Sequence, residues 1–148
     1  MDKIKVAVLF GGCSEEYYVS IKSAMEIAEN IDTEKYHPVY VGITKSGSWK
    51  ICERPCLKWE EHAKYPVVFS PERNANGLMV QRGGRYEIQP IDVVFPIIHG
   101  KFGEDGSIQG LLELSGIPYV GCDTQSSVIY MDKSLAYTVA KEAGIEVP

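Results

Sequence analysis

No stretch of this chain approaches the roughly 18 consecutive apolar residues that a membrane-spanning helix requires. The unbroken apolar run near the N-terminus is only Val6 to Phe10, with Asp2 ahead of it, so "MDKIKVAVLFGG" reads as a first strand rather than an export signal. Basic charge is also short: 15 lysines and arginines stand against 20 aspartates and glutamates, a net charge of -5. Nucleic acid and acidic membrane surfaces are therefore poor partners, and a soluble, cytoplasmic protein is expected. Cysteine is sparse, and only Cys52 and Cys56 in "CERPC" are closely spaced. Neither Cys13, Cys122 nor the three scattered histidines supplies a second paired half-site, so free thiols are expected and a metal site is not. Internal repeats, low-complexity tracts and a linker of domain length are missing as well.

What is present is one ordinary domain of 148 residues, long enough to bury roughly 70% of the surface its unfolded form exposes. Residues 4 to 10 are apolar without polar alternation, the pattern of a central parallel strand covered on both faces. After a glycine turn, Val19, Ala24, Met25, Ala28 and Ile31 recur at helical spacing, with Lys22, Glu26, Glu29 and Asn30 on the wet side. "HPVYVGIT" reads as a second strand, "KSGS" as a turn and "WKIC" as a hairpin partner. Between Glu53 and Pro90 the pattern is less regular: "KWEEHAK" predicts one or two helical turns, "PVVF" a short strand, and "GLMVQRGGRYEIQ" a hairpin about Gly83 and Gly84.

"IDVVFPIIHG" is a further buried strand ending at His99, and "IQGLLELSG" a helix with Asp105 or Ser107 as N-cap and Gly116 as its stop. "IPYVG" reads as one more short strand. Two helices follow, broken near Asp132, with Gly144 as the final cap. The fold class is α/β: a doubly wound, mainly parallel, Rossmann-like sheet with flanking helices and a β-hairpin elaboration. The chain's close at "IEVP" reads as a domain ending at a boundary.

Two loops at the carboxyl ends of parallel strands carry both glycine and charge, "GGCSEEYYVS" and "HGKFGEDGS". Ligands of open α/β sheets bind at that edge. A dinucleotide loop needs Gly-x-Gly-x-x-Gly, but the third glycine is missing and Glu15 and Glu16 occupy the approach. Unit charges about 4 Å apart interact by ~4 kcal/mol at an effective dielectric near 20, so carboxylates here penalise phosphate and favour an ammonium. The residues alone leave two readings of Glu15 and Glu16 open, a cradle for a cationic group and solvated first-turn charges. His99 surfaces from a buried strand beside Glu104 and Asp105. Lys133 stands at a helix start, where a cation does not complement the dipole and an external anion is a reasonable partner. Tyr17 and Tyr18 are assigned to packing.

Taken together, "LFGGCSEEYYVSIKSAMEIA", "YVGITKSGSW", "HGKFGEDGSIQGLLELSGIPYVGCDTQSS" and "MDKSLAYTVAKEAGIEVP" resemble the N-terminal domain of D-alanine:D-alanine ligases, from end to end of the chain. The likeness is strongest to the vancomycin-resistance branch that makes D-alanine:D-lactate. It implies a pre-ATP-grasp domain over residues 1–148, of which about 125–148 lead toward an ATP-grasp domain, with central and C-terminal domains outside this chain. It also implies ATP and Mg2+, bound mainly by those domains, D-alanine plus D-lactate or D-alanine as substrates, and a homodimer. By the same resemblance Glu16 holds the ammonium of the first D-alanine, His99 and Lys22 lie at the second subsite, and Lys133 reaches the ATP phosphates. Tyr18 and Tyr130 depart from the residues usual at their positions. A stand-alone small-molecule binding module and a dinucleotide-dependent oxidoreductase are the competing readings.

Overall fold

A computed structural model describes residues 2–148. In chain order its elements are β1 (Ile4–Gly11), α1 (Tyr17–Asn30), β2 (Tyr36–Ile43), β3 (Trp49–Cys52), β4 (Tyr65–Phe69), β5 (Gly77–Arg82), β6 (Arg85–Pro90), β7 (Val93–Pro96), α2 (Ser107–Ser115), α3 (Thr124–Met131) and α4 (Lys133–Glu142). Among the described residues the strands form one sheet in the order β6-β5-β4-β3-β2-β1-β7. β1 is central and parallel to both neighbours, with Val8 opposite Tyr40 on β2 and Phe95 on β7. From β2 outward the pairing is antiparallel, through β3, β4, β5 and β6. The expected hairpin about Gly83 and Gly84 is β5 to β6, and it caps the far edge of the sheet.

The period of two along β1 divides its apolar run between two cores. Ala7 and Leu9 point to one, together with Val39 and Val41 of β2 and Ile108 and Leu112 of α2. Val6, Val8 and Phe10 point to the other, against Ile21, Ala24 and Ala28 of α1. Helices thus cover both faces, as a doubly wound arrangement requires, and every residue from Val6 to Phe10 is buried.

Three local expectations need correction. Val19 is 52% exposed, and the buried stripe of α1 is Tyr17, Ser20, Ile21, Ala24 and Ala28. A helical repeat places Tyr17, Ile21, Ala24 and Ala28 on one side, and Val19 falls outside that arc. "IPYVG" makes a single parallel bridge, Val94 to Tyr119, instead of a strand. Pro118 has no amide proton to continue a ladder and Gly121 turns the chain away at φ 132°. The cap of α2 is Gly106, while Asp105 sits one residue earlier and accepts from the backbone N–H groups of Phe102 and Ser107. The expected break at Asp132 is a cap: its carboxylate accepts from the Ser134 and Leu135 amides and starts α4. α4 buries none of its residues.

Candidate functional site

The site lies where β1 and β7 end side by side. After β1 the chain turns through Gly11 and Gly12, with φ of 86° and 104°, and enters α1 at Tyr17. Buried Ser20 stitches this turn to the segment after β7: its hydroxyl accepts from Gly11 N–H at 2.8 Å and donates to the Ile97 carbonyl. A second serine makes the next crossing. The Ser14 hydroxyl donates to the His99 carbonyl at 2.7 Å and accepts from Glu16 N–H at 3.2 Å. The two charged loops that lie 80-odd residues apart in sequence are therefore one structure.

Glu16 and His99 are brought together there. One Glu16 oxygen rests against Gly100, whose φ is 68°, and a Cβ at position 100 would collide with it. No protein donor among the described residues hydrogen-bonds the Glu16 carboxylate. The His99 ring lies 3.2 Å through Nε2 from Ser23 Oγ and 3.9 Å through Nδ1 from Glu104 Oε1. The other Glu104 oxygen accepts from Gly100 N–H at 2.7 Å, which pins that carboxylate across the ring. His99 is half-buried, and the arrangement holds its ring while leaving part of it exposed. A cleft of about 630 Å³ opens beside His99 and Glu104 and is lined further by Gln109, Ser126 and Tyr130.

The other expected residues stand apart. Glu15 and Glu16 are both exposed, and neither carboxylate is paired among the described residues; they differ in that only Glu16 sets an oxygen against Gly100. Lys22 is exposed on α1 next to Ser23, and Lys133 is exposed as the first residue of α4. No hydrogen bond or ion pair among the described residues ties either lysine to Glu16, His99 or Glu104. Asp105 serves the loop: burial pushes its carboxyl up, but hydrogen bonds from Phe102 and Ser107 together outweigh that and hold it below the usual carboxylate value. The four cysteines are free, and burial raises the Cys52 thiol to about 12. No group of three or more His, Cys, Asp or Glu side chains is placed to hold a metal ion among the described residues.

Sequence reasoning missed Ser14, Ser20 and Ser23, because a serine in a loop carries no signal of which distant carbonyl it will meet. It also undervalued Tyr17. The Tyr17 hydroxyl donates to Glu60 Oε1 at 2.6 Å and accepts from the Trp59 indole N–H at 3.0 Å. Lys45 lies 4.5 Å from the Tyr18 ring centre and 5.3 Å from that of Tyr17. Chemically the edge is rich in acceptors at its centre, suited to a small ligand with a cationic donor.

Fold and site define a class: an open α/β domain that presents a carboxylate and a braced histidine at the carboxyl ends of its parallel strands. More particularly, the chain belongs to the family described as D-ala D-ala ligase N-terminus, which matches residues 5–122. It is 64% identical over 148 residues to the vancomycin/teicoplanin A-type resistance protein VanA of Enterococcus faecium, covering 100% of this chain and 43% of that protein. It is 58% identical, with the same coverage, to a putative D-alanine–D-lactate ligase of Streptomyces coelicolor. Among solved structures it resembles the VanG D-Ala:D-Ser ligase of Enterococcus faecalis, with a TM-score of 0.91 at 44% identity over 99% of this chain and 44% of that one. The chain thus spans less than half the length of these relatives.

Proposed function

We propose that this chain is the N-terminal substrate-binding domain of an ATP-dependent ligase that joins D-alanine to D-lactate, or to a second D-alanine, for peptidoglycan precursors and glycopeptide resistance. The observation that carries the proposal is the Glu16 carboxylate, which follows β1, rests against Gly100 and has no hydrogen-bond donor among the described residues. An ammonium is the group that this carboxylate suits. The relatives named for vancomycin resistance and for D-lactate support the same chemistry and favour the depsipeptide product.

In this reading Glu16 binds the ammonium of the first D-alanine and so places its carboxylate outward, where the rest of the enzyme activates it by phosphorylation. ATP supplies the phosphoryl group and is held with Mg2+ mainly outside residues 1–148. The hydroxyl of D-lactate, or the amine of D-alanine, attacks the activated carbonyl carbon, loses its proton, and phosphate leaves. His99 lies beside the second substrate, its ring held between Ser23 and Glu104. Lys22, exposed on α1 beside Ser23, is assigned to that same subsite in this reading. Lys133 is exposed, forms no ion pair among the described residues, and has the chemistry for a phosphate oxygen. Residues 125–148 lead toward the ATP-binding part: Tyr130, Leu135 and Ile145 expose apolar side chains there. A homodimer belongs to the same proposal.

The test is Glu16→Gln in the full-length ligase. Loss of a charge-assisted contact raises KM for the first D-alanine roughly ten-fold or more, and an unchanged KM refutes the ammonium cradle. Product analysis with D-alanine plus D-lactate across pH identifies the second substrate. D-Lactate offers a neutral hydroxyl, whereas D-alanine must shed an ammonium proton, so the depsipeptide share rises as pH falls. Equal dipeptide formation at neutral pH places the protein with the ordinary D-alanine:D-alanine ligases.

A further inference from the structure

Glu16 is the residue before the first turn of α1, and that turn lacks the usual means of holding still. Position 16 caps α1 with no side-chain hydrogen bond to the helix, at φ -85° and ψ 14°. An uncapped N-terminus leaves free amides and frays. A carboxylate that must meet a small ammonium within tenths of an ångström needs its backbone held by something else.

The next residue supplies it. Tyr17 is 4% exposed and its phenol closes a chain of hydrogen bonds, Trp59 N–H to Tyr17 oxygen and Tyr17 O–H to Glu60. The far end of that chain is built into the sheet. Trp59 is fully buried, packs edge-on to Phe10 of β1 at 5.3 Å, and lies so close over Gly42 of β2 that position 42 has no room for a Cβ. Glu60 lies at the exposed rim of the same short 3-10 turn, Trp59–His62. Packing alone would be met by a phenylalanine; the buried hydroxyl and indole N–H add direction, since each must be paired to avoid the cost of desolvation. Burial first, and the Glu60 hydrogen bond second, raise the phenol's ionisation well above its ordinary value, so it stays a neutral donor. Lys45, over the rings of Tyr18 and Tyr17, and the edge-on contact between those rings at 5.2 Å, close the outer side.

We infer that Tyr17 is a positioning residue, and that the Trp59, Tyr17 and Glu60 chain aims the Glu16 carboxylate at the substrate ammonium. The inference rests on the reading of Glu16 given above. Glu16 is then held from both sides, through its own N–H by Ser14 and through its successor by Glu60. It also assigns a task to the antiparallel half of the sheet, because residues 59 and 60 belong to the connection between β3 and β4.

The experiment is a set of variants in the full-length ligase, read as KM for the first D-alanine, KM for ATP, and Tm. Tyr17→Phe keeps the ring and removes the hydroxyl; it raises KM for D-alanine about five-fold or more with KM for ATP unmoved. Glu60→Leu, a change at an exposed position, produces the same shift, and the double variant adds nothing further. Glu60→Gln, whose amide oxygen accepts the same hydrogen bond, restores most of what Glu60→Leu loses. In the 148-residue chain, Tyr17→Phe moves the amide resonances of Glu16 and Gly100 and leaves those of α4 in place. A lowered Tm with KM for D-alanine unchanged, in an enzyme where Glu16→Gln does raise it, overturns the positioning role alone. If Glu16→Gln itself has no effect, the ammonium reading fails and the positioning role falls with it.

Discussion

A carboxylate resting on a glycine is the smallest unit of this site. Gly100 is needed twice over: its φ of 68° favours a residue without Cβ, and any side chain would occupy the space of the Glu16 oxygen. Gly100→Ala is therefore expected to lower stability by about 1–2 kcal/mol through backbone strain. In the full-length enzyme it raises KM for the first D-alanine by roughly ten-fold as Glu16 swings aside. Denaturant melts and initial rates check the two effects separately. Glu16 and His99 were legible as candidates because each follows an unmistakable buried strand. The residue pattern alone left Glu15 and Glu16 open, and only the family resemblance singled out Glu16; in the fold, the crossing from Ser14 to the His99 carbonyl accompanies the contact of Glu16, not Glu15, with Gly100.

At the scale of elements, α2, the bridge at Tyr119 and α3 share one carboxylate. Glu113 accepts from Thr124 N–H and from the Tyr119 hydroxyl, each at 3.0 Å. The Thr124 amide is the main reason that its carboxyl lies below the usual 4.5, with the Tyr119 hydroxyl assisting. Burial, and then Glu113 itself, raise the Tyr119 phenol to about 12. A carboxyl whose folded value is depressed stabilises above its unfolded value, and that contribution is lost as pH falls through the folded one. The Tm gap between wild type and Glu113→Gln is thus expected to be open at pH 6 and to close between roughly pH 5 and 3. Thermal melts across that range test it, and a gap independent of pH refutes the tie. Element types were legible where periodicity ran long, as in β1 and α1. The shortfall of "IPYVG" to one bridge was not, because a five-residue apolar run looks alike whether or not a neighbour's ladder extends to meet it.

For the whole molecule, the parallel strands and their two covering helices build the site edge, while the antiparallel strands lend it Trp59 and Glu60 from the side. The active machinery proposed for ATP lies outside residues 1–148, so this chain alone is expected to release no phosphate from ATP with D-alanine; measurable turnover would overturn the division of labour. The exposed apolar side chains of α3 and α4, such as Tyr130 at 64% and Leu135 at 47%, form no part of either core. By itself the sequence determined the α/β class, the identity of the central strand and the charged loops at its carboxyl end. Those follow from hydrophobic period, glycine placement and charge, which are local properties. Only the tertiary structure decided which serine reaches which carbonyl, which glutamate faces Gly100, and that Tyr17 answers to a tryptophan 42 residues away. The reason is physical: hydrogen-bond partners are chosen by strand order and register, and these are set by the packing of the entire sheet.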